Sequence, residues 1–121
     1  MLKIFRHNVA VLLAAAAGAA LAQDPTAGQA AFAQCAACHS VDGSLGTGPS
    51  LRGIAGRKAG SVEGFRYSRA LKNAGYVWDA RSLDAFIAEP QKALAGTLMP
   101  FAGVPDAQQR ADLVAFLLTL H

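Results

Sequence analysis

Residues 35–39 read CAACH, so the two cysteines of the chain stand three positions apart with a histidine directly after the second. Such a pair serves a redox-active disulfide, half of a zinc site, or the covalent attachment of haem. Each use makes a different demand on the remaining residues.

The N-terminus sets the compartment. MLKIFRHNVA carries Lys3, Arg6 and His7, an apolar run of about 13 residues follows, and small residues close it at Ala20 and Ala22. This is the layout of a secretory signal peptide, with cleavage expected between Ala22 and Gln23. The run is shorter than the roughly 20 residues that a spanning helix needs, so no stable membrane insertion is expected after cleavage. Residues 23–121 then form one domain. Loss of Lys3 and Arg6 lowers the formal charge from +3 to about +1 and leaves nine Lys and Arg against eight Asp and Glu. The basic balance of the whole chain is therefore no sign of nucleic-acid binding, and no basic run with interleaved aromatics occurs.

Export permits a disulfide, but a bridge closing so short a loop would restrict the unfolded chain very little. A thiol–disulfide oxidoreductase places its C-x-x-C at a helix N-terminus after a strand, whereas this motif follows a helical pattern. A closed zinc site needs four ligands, and the mature chain adds only His39, adjoining Cys38, and His121, its last residue. Haem attachment fits the spacing. Thiols at i and i+3 lie on one side of a turn and can each form a thioether to a porphyrin vinyl group, and His39, at i+4 from Cys35, can meet the iron.

Asp24 and Pro25 signal a helix start, and the helix is expected through TAGQAAFAQCAAC with Phe32 on its inner face. Glycine-rich sequence from Ser40 to Gly64 reads as loop. A short helical turn is expected at SRALKNAG. Asp79 can cap ARSLDAFIAE, whose Leu83, Phe86 and Ile87 recur at i, i+3 and i+4 before Pro90 stops it. PQKALAGTLMPFAGVP reads as loop again. Asp106 and Gln109 make a capping-box-like start to a last helix with Leu113, Phe116, Leu117 and Leu120 on one stripe. No segment has a period of two. The expected fold is all-α, with short helices and long loops, and such a chain needs a large apolar group to pack around.

For a sixth ligand to a haem iron, Met99 is the one methionine left after cleavage, in a loop between Pro90 and Pro105. His121, as a terminal residue, is expected to fray, which favours the thioether of Met99.

The segments GQAAFAQCAACHSV, GTGPSLRGIAGRKAGSVEGFRYS, NAGYVW, LDAFIAEPQKALAGTLMPFAGV and RADLVAFL, in this order and spacing, resemble class I cytochromes c of the mitochondrial type and their soluble bacterial relatives. The resemblance spans nearly the whole mature chain. It implies the class I cytochrome c fold wrapped around one covalent haem c, bound by Cys35 and Cys38 with His39 and Met99 as iron ligands. Gly28 and Phe32 should pack against Leu113 and Phe116 at a helix crossing. It assigns the Pro49 carbonyl to the second ring nitrogen of His39, and Arg57, Tyr67, Trp78 and Thr97 to the haem propionates.

The implied function is a monomeric, periplasmic, respiratory electron carrier, not an enzyme, with partners such as a cytochrome bc complex, a terminal oxidase or a periplasmic dehydrogenase docking near Lys92 and Phe101. Phe86 and Leu71 depart from the tyrosine and asparagine usual in the family. Gln91 and Leu98 stand where its docking ring has lysines, leaving Lys58, Lys72 and Lys92. A haem enzyme or gas-binding protein would need a distal acid or base, and the Met99 loop offers neither histidine nor carboxylate. A subunit docked permanently to one dehydrogenase would use an apolar face of Leu98, Phe101 and Val104.

Overall fold

The computed structural model describes residues 10–14 and 21–121; the segment read as a signal peptide lies largely outside the described residues. Five α-helices and one 3-10 turn make up the regular structure among them: α1 (Pro25–Ala31) with the 3-10 turn Phe32–Gln34, α2 (Arg69–Lys72), α3 (Ala80–Ala88), α4 (Pro90–Ala93) and α5 (Ala107–Leu117). None is long and apolar enough to cross a membrane.

The Asp24 carboxylate accepts from the N–H groups of Thr26 and Ala27, and Pro25 needs no partner at the first helical position. The helix ends at Ala31, earlier than expected. Cys35 N–H donates to the Phe32 carbonyl at 2.8 Å, an i to i+3 bond, and the cysteine segment continues as a bonded turn, with His39 N–H donating to the Cys35 carbonyl at 3.0 Å. The tighter winding begins where the Phe32 ring packs on Phe116, with centroids 5.3 Å apart. Both aromatics belong to the crossing of α1 over α5, where Gly28 lies against the backbone of Asp112. The Asp24 N–H also donates to the Asp112 carboxylate at 3.0 Å.

In α3 the capping box is complete: Ser82 N–H donates to Asp79 Oδ1 at 2.8 Å and Asp79 N–H to Ser82 Oγ at 2.9 Å. Leu83, Phe86 and Ile87 form its buried face. Asp106 caps α5 through the Gln109 N–H at 2.7 Å, without the reciprocal bond. Pro90 ends α3 as expected, because the residue before a proline is pushed out of the helical region, and Glu89 sits at φ −151°. The same proline then serves as the first residue of α4, a short helix inside a stretch read as loop.

The long segment after His39 is held by cross-links instead of by helices. An isolated antiparallel bridge pairs Lys58 with Val77. Around it Gly56 N–H donates to Trp78 O at 2.7 Å, Trp78 N–H to Arg57 O at 2.8 Å, and Ala59 N–H to Tyr76 O at 2.9 Å. Ser50, with 3% of its surface exposed, accepts from the N–H groups of Gly43 and Arg52. The C-terminus is pinned, contrary to the expectation that it frays: Gly53 N–H donates to the Leu120 carbonyl and Arg52 Nε to that of His121. Leu113, Leu117, Leu83, Phe86, Ile87, Trp78 and Ile54 are buried in one cluster, drawn from α3, α5 and the bridged loop.

Candidate functional site

Inside this shell lies a cavity of about 420 Å³, bordered by the turn after α1, the bridged loop, α2, α3, the Met99 loop and α5. Leu83, Phe86 and Ile87 of α3 and Leu113 and Leu117 of α5 face it, so the apolar stripes that build the core also make its walls. All nine candidate residues border it: Cys35, Cys38, His39, Pro49, Arg57, Tyr67, Trp78, Thr97 and Met99. His121 does not.

His39 is the most constrained of these. Its Nδ1 stands 2.7 Å from the Pro49 carbonyl oxygen, an acceptor, so Nδ1 carries the ring proton and donates it, leaving a lone pair on Nε2. Gly48 lies against the ring: a β-carbon there would be 2.6 Å from Cε1.

Cys35 and Cys38 are both free thiols. Burial pushes the Cys35 thiol up, and the neighbouring Cys38 adds to the effect. An attacking thiol in a redox C-x-x-C has the opposite shift, produced by a helix N-terminus that this motif lacks. Among the described residues no three His, Cys, Asp or Glu side chains converge as a metal site would require.

The bridge places Arg57 and Trp78 side by side. The guanidinium donates to the carbonyls of Arg52 and Ser50, each at 3.0 Å. Burial lowers its pKa and Tyr67 acts in the opposite sense. The ion pairs among the described residues are Lys92–Glu89 and Arg110–Asp84, so this half-buried cation has no carboxylate partner from them. Tyr67 stands by it, its hydroxyl accepting from the Val62 N–H at 3.0 Å and its ring edge-on to Phe65. Trp78 is packed edge-on between Tyr76 and Phe86, with centroids 5.2 Å away on each side. With Phe86 and Leu71 both on the cavity wall, that region is apolar where a tyrosine and an asparagine would be polar.

Thr97 is buried, and Met99 half-buried, in the loop after α4. Gln91, read from the sequence as a missing surface cation, is exposed but hydrogen-bonds to the Met99 loop: its Nε2 donates to the Thr97 carbonyl at 2.9 Å. Nothing in the local sequence marks that role, because α4 itself was not expected. Leu98 is 76% exposed and Lys92 lies on the surface 3.8 Å from Glu89. Phe101 borders the cavity and is half-buried. Val104 is 1% exposed, so it belongs to the core and cannot form part of an apolar docking face with Leu98 and Phe101.

An imidazole with a fixed tautomer, a thioether, two adjacent thiols, apolar walls and an unpaired guanidinium suit a flat apolar metal complex that carries carboxylates. An iron porphyrin has those properties, and the residues present fit it.

The profile of the cytochrome c family matches residues 25–121. A cytochrome c2 of Rhodoblastus acidophilus is 48% identical over 98 residues, covering 79% of this chain and 92% of the relative. A cytochrome c of Trypanosoma brucei brucei is 49% identical over 84 residues, covering 69% and 90%. Among solved structures, cytochrome cH from Methylobacterium extorquens superposes with a TM-score of 0.76 at 42% identity, covering 79% of this chain and 98% of that one. Sequence, fold and cavity thus agree that the chain belongs to the cytochrome c family, as a single-haem electron carrier with one covalently attached haem c and not as an enzyme.

Proposed function

We propose that the mature protein is a monomeric periplasmic carrier whose haem is held by thioethers from Cys35 and Cys38 and ligated by His39 and Met99. It would pass electrons between a cytochrome bc complex or periplasmic dehydrogenase and a terminal oxidase. The observation that carries this reading is the gathering of all nine candidates around one cavity. For the periplasm, the support is the three-part N-terminal segment, with cleavage after Ala22.

When bound, the haem supplies the one-electron Fe(III)/Fe(II) couple. The protein's task is to keep both ligands in place in both states, so that little rearranges when the electron moves. Pro49 serves this by accepting from His39 Nδ1–H, with nitrogen and oxygen 2.7 Å apart, which fixes ring orientation and raises the basicity of Nε2. Met99 offers a soft thioether, which favours the ferrous state and a high potential. The apolar wall of Leu71, Phe86 and Ile87 acts in the same direction by disfavouring extra charge. Arg57, with Tyr67, Trp78 and Thr97, would receive the propionates: a carboxylate beside Arg57 compensates a cation that burial otherwise penalises.

Partners would dock near Lys92 and Phe101, on the side where Leu98 and Lys92 are exposed. The near-neutral mature chain projects a weak field, so association should depend little on salt compared with a strongly basic carrier.

The test is absorption of the haem-loaded ferric protein against Met99→Ala. A near-infrared thioether-to-iron band that disappears in the variant, with little cyanide or carbon monoxide binding in the wild type, supports the reading. Ready binding of either by the wild type refutes it.

A further inference from the structure

We propose that Gln91 is a positioning residue that fastens the Met99 loop, so that its amide governs how easily Met99 leaves the haem. The inference rests on the reading of Met99 as an iron ligand.

Few bonds hold this loop. Within it Thr97 N–H donates to the Leu94 carbonyl and Phe101 N–H to the Met99 carbonyl, and Met99 N–H makes a long 3.5 Å contact to Thr97 Oγ1. Of these, the Thr97 bond joins the loop to Leu94, the cap of α4, and the others stay next to Met99 itself. Among the described residues, the side-chain hydrogen bonds that enter residues 95–100 from outside come from Gln91. Its Nε2 donates to the Thr97 carbonyl at 2.9 Å and lies 3.5 Å from the Met99 carbonyl. The next tie is Val104 N–H to the Ile87 carbonyl, beyond the methionine.

The base of this clamp is firm. Gln91 follows Pro90, one of the most completely buried residues, and α4 is closed by Lys92 and Ala93 N–H groups donating to the Glu89 carbonyl. Both neighbours of the amide nitrogen are carbonyl oxygens, so only a donor can stand there. A residue on a short helix anchored by the buried Pro90 thus reaches the carbonyl two residues before the sulfur-bearing side chain. Opening of the loop, which any exogenous ligand must await, has to break that bond.

The experiment is an imidazole titration of the haem-loaded ferric protein, followed in the Soret band, for wild type, Gln91→Ala, Gln91→Glu and Met99→Ala. Unfolding midpoints are measured in parallel. Loss of one such hydrogen bond should raise imidazole affinity and exchange rate about fivefold in Gln91→Ala. Gln91→Glu keeps the shape but sets a carboxylate against two carbonyl oxygens, and should raise them at least as much at neutral pH. Because unfolding breaks the same bond, Gln91→Ala should raise the unfolding constant by no more than that factor. Imidazole uptake unchanged in both variants overturns the clamp. So does a rise accompanied by a loss of overall stability much larger than that factor, which would mean that the substitutions disturb more than this bond. If the wild type takes up imidazole as readily as Met99→Ala, Met99 is no ligand, and the reading beneath the clamp fails with it.

Discussion

Gly48 lies flat against the imidazole of His39: a β-carbon added to it would stand 2.6 Å from Cε1 and 2.8 Å from Nδ1. No side chain fits between this backbone and the ring. Gly48 N–H also donates to the Cys38 carbonyl at 2.8 Å, so the glycine cannot retreat without opening the turn that carries the histidine. Gly48→Ala should therefore tilt the ring, stretch its contact to Pro49 and cost about 2 kcal/mol in an overpacked site. Gly46→Ala is the control, since its β-carbon would stand 3.3 Å from the Cys38 carbonyl oxygen and 3.9 Å from that of Gly48. Denaturant unfolding and the Soret spectrum of both haem-loaded variants decide the matter; equal losses would show that His39 has room to move.

A second prediction concerns the crossing of α1 and α5. A β-carbon on Gly28 would lie 2.9 Å from that of Phe116 and closer still to the Asp112 carbonyl. Neither obstacle is a flexible side-chain end, so Gly28→Ala must push the helices apart. That would separate Phe32 from Phe116 and Asp24 from Asp112. The expected cost is about 3 kcal/mol, read from chemical denaturation. A loss under about 1 kcal/mol would mean that the crossing is looser than its geometry indicates.

Arg110 joins three parts of the fold. From α5 its Nε donates to Asp84 Oδ1 of α3 at 2.7 Å, while Nη1 donates to the Val104 carbonyl at 2.9 Å, just beyond the Met99 loop. The arginine side chain is 16% exposed and the aspartate 48%. Solvent therefore screens the loss of the carboxylate charge better than it replaces the buried donor. Arg110→Met should cost about 2 kcal/mol and Asp84→Asn under about 1 kcal/mol. Equal costs in parallel unfolding curves would assign the stabilisation to the ion pair instead of the bond to Val104.

What the sequence revealed was local. The CAACH spacing and the caps Asp79 and Asp106 act within a turn or two of chain, and each could be read without knowledge of the fold. Resemblance brought in Pro49, whose carbonyl stands at His39 Nδ1, and Arg57, Tyr67, Trp78 and Thr97, whose haem contacts are proposed. What stayed hidden depends on distant partners. The bridge that seats Arg57 beside Trp78 pairs residues with no alternating pattern to announce them. Pro90 was legible as a stop but not as a start, and with α4 unseen the bond from the exposed Gln91 to the Thr97 carbonyl could not be foreseen. Val104 sits among loop residues, yet the bond from its N–H to the Ile87 carbonyl draws it into the core. His121 is held by Arg52, sixty-nine positions away.

The cap of α3 gives the chain an acid-sensitive element. Asp79 accepts the Ser82 backbone N–H, with the Ser82 hydroxyl second, and these hold its pKa below the ordinary carboxylate value. A carboxyl depressed in the folded state takes up its proton first in the unfolded chain. Its contribution is therefore complete above the unfolded pKa of about 4 and is lost as the pH falls through the lower folded value. Asp42 is lowered too, chiefly by the Ser44 hydroxyl, so part of the acid sensitivity lies outside α3. Asp79→Asn keeps an oxygen for the Ser82 N–H but cannot titrate. Wild type should then exceed the variant in stability by more at pH 7 than at about pH 3, where most of the difference should be gone. Denaturant unfolding of both proteins at the two pH values measures that gap; a gap that stays constant would mean that the Asp79 carboxylate does not titrate with folding.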